Sequence, residues 1–111
     1  MRPELEYFWE YLKVHCRGKA NALKVGRLSW LLNHSERQIR AMAEELTTQH
    51  GHPIASTVHS PYGIYVAVTS GEREEYVRQL DSRIKALARR RRAFTAIPLS
   101  EAIRQMEMEY A

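Results

Sequence analysis

Cationic side chains are the chemistry this chain offers in quantity, and they are unevenly placed. Between Lys13 and Ser35 stand Lys13, Arg17, Lys19, Lys24 and Arg27 with no acid among them. From Arg83 to Arg92 come six more basic residues, again without an acid. Acids gather elsewhere, from Glu4 to Glu10, at Glu44 and Glu45, from Glu72 to Glu75 and near the C-terminus. With 17 Lys and Arg against 13 Asp and Glu the net charge is only +4, so the segregation matters more than the sum. Such segregation suits a polyanionic partner, the plainer alternative being faces that are merely solvated.

Other chemistries are poorly supplied. His15, Cys16, His50, His52 and His59 contain no Cys-x-x-Cys or His-x-x-x-His spacing, so a metal site is not expected and the histidines read as unpaired surface groups. His15 and Cys16 are sequence neighbours that point apart on a helix, which excludes a nucleophile–base dyad. There is no Walker loop, no paired-carboxylate pocket and no Gly-x-Ser-x-Gly, so neither catalysis nor a cofactor is expected.

The lone Cys16 excludes an internal disulfide and fits a reducing compartment, the cytoplasm being the default. No apolar run approaches the roughly 20 residues a membrane helix needs, and Met1-Arg2-Pro3-Glu4-Leu5-Glu6 lacks the order of a signal peptide, so no membrane association is expected. A length of 111 residues with 44% hydrophobic content allows one domain with a modest core and at most a small appendage.

The elements that must position the cations follow from periodicity. Leu5, Phe8, Trp9 and Leu12 form one helical stripe, predicting a first helix from Pro3 to His15 with proline in its first turn. Arg17 to Asn21 reads as a loop, and Ala22-Leu23-Lys24 as a very short strand. Val25, Leu28, Leu31 and Leu32 suit a second, short helix ending at Asn33-His34. Ser35-Glu36-Arg37-Gln38 has the form of a capping box that starts a third helix, Glu36 to Gln49, with Ile39, Met42, Ala43 and Leu46 inward and Gly51 as its stop. Its outward face carries Glu36, Arg37, Arg40, Glu44 and Thr47.

Ile54 to Val58 and Ile64 to Val68 are uncharged β-rich runs flanking Ser60-Pro61-Tyr62-Gly63, which predicts a hairpin that must pack on the helices. Ser70-Gly71-Glu72 then opens a long helix, Glu72 to Phe94. In it Val77, Leu80, Ile84, Leu87 and Phe94 follow a heptad seam interrupted by Arg91, which predicts a dimerisation face. Leu99 to Tyr110 reads as a short amphipathic tail. The expected fold class is therefore mainly α with a small β-hairpin (α+β). Its parts are residues 1–70, a long C-terminal helix at 71–97, and a helical tail at 98–111.

Two helices joined by a three-residue turn make a helix-turn-helix, and a hairpin directly after them makes a wing. One exposed helix fits the roughly 12 Å major groove while the hairpin tip reaches the neighbouring backbone. The stretch from Val25 to Tyr65 resembles the winged helix-turn-helix domain of bacterial and phage regulatory or replication proteins. The resemblance rests on Leu28-Ser29-Trp30-Leu31-Leu32, on Asn33-His34-Ser35-Glu36-Arg37-Gln38-Ile39-Arg40, and on Leu46, Gly51, Ile54, Ser56 and Gly63-Ile64-Tyr65. An acidic-then-basic helix following the domain, as in Glu72 to Leu87 here, occurs in many phage members. Ser29 departs from the small apolar residue usual in the family, and Trp30 is unusually aromatic for its face. Trp30 reads as cover for the hairpin edge or for a partner chain.

The resemblance implies double-stranded DNA as partner, in a bacterial cell or a phage-infected host. Arg37 and Arg40 open the third helix, where arginine pairs bidentately with guanine; the alternative is surface ion pairs with Glu36 and Glu44. Ser35 and Glu36 lie at the same helix start. Lys19, Lys24 and Arg27 would neutralise phosphates, which positions without specifying sequence. His59, Ser60 and Tyr62 form a wing tip that lacks the Lys or Arg often found there. Arg89, Arg90 and Arg92 offer either a second phosphate surface or the solvated end of a dimerisation helix.

The expected function is therefore DNA binding by a homodimer, with the third helix in the major groove, in transcription control, replication or recombination. The alternative is a winged-helix scaffold that assembles through its C-terminal helix, or binds a protein partner through that helix or the tail, without reading DNA.

Overall fold

The computed structural model describes residues 1–110 and orders them as α1 (Pro3–His15), α2 (Val25–Leu32), α3 (Glu36–Thr48), β1 (Ile54–Thr57), β2 (Gly63–Val66), α4 (Ser70–Ala96) and α5 (Leu99–Tyr110). A single 3-10 turn at Lys19–Asn21 lies between α1 and α2. The chain is mainly helical with one antiparallel hairpin and a long C-terminal helix, the α+β class expected. Ala111, the end of the expected tail, lies outside the described residues. No helix among the described residues is long and apolar enough to cross a membrane.

The chain divides into Met1–Val77 and the part from Arg78 onward. The first two turns of α4 thus belong with the helices and hairpin that precede them, not with the rest of their own helix. In that first unit the core takes one stripe from each helix. Leu5, Phe8 and Leu12 come from α1, Leu28 from α2, and Ile39, Met42 and Leu46 from α3, all buried with Ile54, Ile64 and Val66 of the hairpin. The spacing read from the sequence faces the core, with Trp9, Val25, Leu32 and Ala43 partly buried and Leu31 of α2 exposed.

Two long-range contacts tie α1 to the end of α3. Both terminal guanidinium nitrogens of Arg2 donate to the Glu45 carboxylate, each at 2.8 Å. His52 stacks on Trp9 with ring centroids 4.0 Å apart. The expectation that the histidines are unpaired surface groups therefore fails at His52, because the turn at Gly51 brings residues 43 positions apart into stacking distance.

The hairpin pairs Ile54 with Val66 and Thr57 with Gly63. Two four-residue strands are marginal alone, and here the outer edge of β2 is also bonded. Leu23 donates to the Ile64 carbonyl at 3.1 Å and accepts from its N–H at 2.8 Å; Val66 donates to Cys16 O at 2.8 Å and accepts from Gly18 at 2.9 Å. The expected strand at Ala22–Lys24 is thus a single bridge at Leu23. This close approach is why residue 63 is glycine. Its φ is +143°, and a Cβ there would sit 2.2 Å from the Leu23 carbonyl oxygen.

On the other face of the sheet Tyr65 is buried with Ala22, Ala55 and Ala67, and Tyr76 of α4 packs against them. The start of α4 is fixed by hydrogen bonds. Thr69 Oγ1 accepts from Glu72 N at 3.1 Å, so the helix begins two residues before the expected Glu72. The Glu72 carboxylate in turn accepts from Val68 N at 2.9 Å and from Lys19 N at 2.8 Å. Beyond this anchorage no residue of α4 is buried.

Candidate nucleic-acid interface

The turn between α2 and α3 is held by three short-range devices. Asn33 ends α2 in the left-handed conformation, φ 55°, which asparagine tolerates better than most residues. The Ser35–Gln38 capping box is complete: Ser35 Oγ accepts from Gln38 N at 3.1 Å, and Gln38 Oε1 accepts from Ser35 N at 2.7 Å. Ser29 Oγ donates to the His34 carbonyl. That last bond accounts for a serine where the resembled family has a small apolar residue. Ser35 is thus occupied by its own helix.

An open groove lies between the start of α2, the start of α3 and the hairpin. Lys24, Arg27 and Trp30 line it from α2, Glu36 and Arg40 from α3, and Ser56, Thr57 and Tyr62 from the hairpin. Three cations thus meet one carboxylate. Among the described residues none of the three has an acid within ion-pair distance, and neither does Arg37 on the exposed face of α3. The proposed Arg40–Glu44 pair does not form. The Arg27 guanidinium lies 5.4 Å from the centre of the Trp30 ring, a cation–π contact. Glu36 leans over α2, its carboxylate 3.0 Å from where a Cβ on Gly26 would stand. The first-turn N–H groups of α2 have no side-chain cap, which adds the positive end of that helix to the groove.

Of the residues singled out from the sequence, Lys24, Arg27, Glu36, Arg40 and Tyr62 come together here. His59 and Ser60 sit exposed in the hairpin turn, outside the lining. Lys19 goes elsewhere, and its reading as a free phosphate contact is corrected. Its ammonium is 2.6 Å from Glu75 Oε1, a bond that raises its pKa, and its backbone N–H serves Glu72. Those backbone bonds, from Lys19 and Val68, hold the Glu72 carboxyl below its ordinary value. Arg89, Arg90 and Arg92 are exposed on α4 in the second unit. The seam residues Val77, Leu80, Ile84, Leu87 and Phe94 are all exposed.

Trp30 is expected from sequence to cover the hairpin edge or a partner chain. It stands 75% exposed, so it covers little of the hairpin edge. Its spacing of three from Arg27 was a signal that the two side chains share a helix face. Ser56 enters the resemblance only as part of the hairpin and Thr57 not at all, and neither carries a local signal for lining the groove. Cys16 is fully buried and burial pushes its thiol up to about 11, which makes it unreactive. Among the described residues no group of three His, Cys, Asp or Glu side chains gathers to hold a metal.

Compared with known proteins, the chain matches no family model, no curated sequence and no solved structure.

Proposed function

We propose that the protein binds double-stranded DNA as a winged helix-turn-helix, with α3 in the major groove. Arg37 and Arg40 meet base edges or phosphates, while Lys24 and Arg27 neutralise the adjacent backbone. The observation that carries the reading is the set of four cations, Lys24, Arg27, Arg37 and Arg40, left without intramolecular acids around one helix–turn–helix. Elsewhere on the same unit Arg2, Lys13 and Lys19 have such partners, while Arg17 and Arg73 are also without one but stand apart from this groove. A phage or bacterial role in transcription control, replication or recombination fits this activity.

The test is fluorescence anisotropy of a labelled mixed-sequence duplex at two salt concentrations. Affinity falls steeply with salt if several phosphates are contacted, and Arg37→Ala with Arg40→Ala abolishes binding while leaving the particle mass unchanged. Full binding by that double variant removes α3 from the interface.

A second reading is a winged-helix scaffold that docks a protein partner. It draws on the exposed Trp30, the carboxylate of Glu36 in the groove, and a hairpin turn from Val58 to Tyr62 without a Lys or Arg. Absence of duplex binding at low salt, with capture of a protein by the wild type and not by Trp30→Ala, selects it.

A further inference from the structure

We infer, resting on the DNA-binding reading above, that the groove between α2, α3 and the hairpin holds one unpaired base stacked on Trp30. The preferred partner is then a duplex that continues into a single-stranded tail. Trp30 is 75% exposed, and its indole borders the same groove as the exposed Tyr62 of the hairpin. The Arg27 guanidinium lies over the Trp30 ring, 5.4 Å from its centre, which restrains the indole at the groove edge. Inside a duplex the bases present only their edges, so an indole beside the backbone meets no flat partner there. An unpaired base offers its whole face, and an aromatic side chain stacks on any of the four.

Charge complementarity selects a nucleotide as the occupant. Lys24, Arg27 and Arg40 line the groove against the single carboxylate of Glu36, and none of the three has an ion pair among the described residues. The cations suit the phosphates on either side of a base. Glu36 repels a phosphate, yet a carboxylate accepts from the exocyclic amino group of a base. Cations, an open indole and one carboxylate in the same groove therefore match a nucleotide whose base is turned out of its stack. A duplex backbone would use only the cations. The hairpin turn works in the same sense. Val58 to Tyr62 carries no Lys or Arg, and both end residues are exposed, so the turn offers a strand apolar surface and no phosphate contact.

The test compares three forms of one duplex by anisotropy at low salt: blunt, with a short deoxyadenosine tail, and with an abasic tail of the same length. The abasic tail keeps the phosphates and removes the bases, so the difference between the two tails isolates stacking from charge. The deoxyadenosine tail is expected to bind about fivefold or more tighter than the abasic one. Trp30→Ala is expected to reduce that ratio to about one, and Trp30→Phe to keep most of it. Tryptophan fluorescence of the wild type is expected to fall on adding the deoxyadenosine tail and not the abasic one. Trp30→Phe, whose one remaining tryptophan is Trp9, is expected to show no such fall. Equal affinity for the two tails, or a base-dependent gain that survives Trp30→Ala, overturns the inference and leaves duplex binding as proposed. Tailed DNA bound with that dependence on Trp30, and blunt DNA not bound, upholds the base site and removes α3 from the major groove. Failure of all three forms to bind overturns both readings and leaves the groove to a protein partner.

Discussion

Two helices of this chain carry apolar stripes of the same spacing and meet opposite fates. In α3, Ile39, Met42 and Leu46 are buried; in α4, Val77, Leu80, Ile84 and Leu87 are exposed. Periodicity reports that a helix has an apolar face, not what covers it. The cover for α3 is built by the neighbouring α2 and, from farther along the chain, by α1 and the hairpin, and no residue of α4 is buried. The same lesson holds for charge. Arg2 and Lys19 resemble Arg27 and Arg40 by type, yet folding pairs the first two with acids and leaves the second two without an ion pair among the described residues.

The sharpest way to break the comparison of stripes is truncation on each side. Phe8→Ala, beneath α3, removes a fully buried ring and is expected to cost about 3–5 kcal/mol. Leu87→Ala, at an exposed seam position, is expected to change monomer stability by less than about 0.5 kcal/mol. Urea unfolding at low protein concentration measures both; equal costs would mean that α4 is covered within its own chain.

A smaller effect is expected at the turn that aims α3. Ser35→Ala removes the side-chain half of the capping box and should lower stability by about 1 kcal/mol, read as a shift in the urea midpoint. On the proposed reading DNA affinity should fall little, because Ser35 aims the helix and the contacts are assigned to Arg37 and Arg40. A loss of affinity as large as that of the arginine variants would put Ser35 on the DNA.

The smallest expected effect is a pH dependence of the α4 anchor. The Glu72 carboxyl is held below its ordinary value by N–H groups of Lys19 and Val68. Its contribution is therefore present above the unfolded-state value, near 4.5, and is lost as pH falls through the lower folded-state value. Glu72→Gln should make the acid limb of the stability profile shallower without removing it, because Glu45, held below its ordinary value by Arg2, still contributes. An unchanged acid limb would assign acid lability to another group.

Much of the first unit was legible because its signals are local. Pro3, the Ser35–Gln38 box and Gly51 mark helix ends through bonds to atoms within four residues, and the α1 and α3 stripes bury the residues their spacing named. Less of the candidate site was legible. Arg40, Arg27 and Lys24 could be named, but not their meeting with Tyr62 and Thr57 across a groove, nor the departure of Lys19 to Glu75.

By itself the sequence determined the element order, the amphipathic faces and the segregation of charge, all set by spacing and by hydrogen bonds a few residues long. Only the tertiary structure decided which cations are consumed by folding, that His52 stacks on Trp9, and that Gly63 lets the Leu23 backbone approach β2. Those outcomes depend on pairs tens of residues apart. Local spacing does not encode which distant surfaces meet.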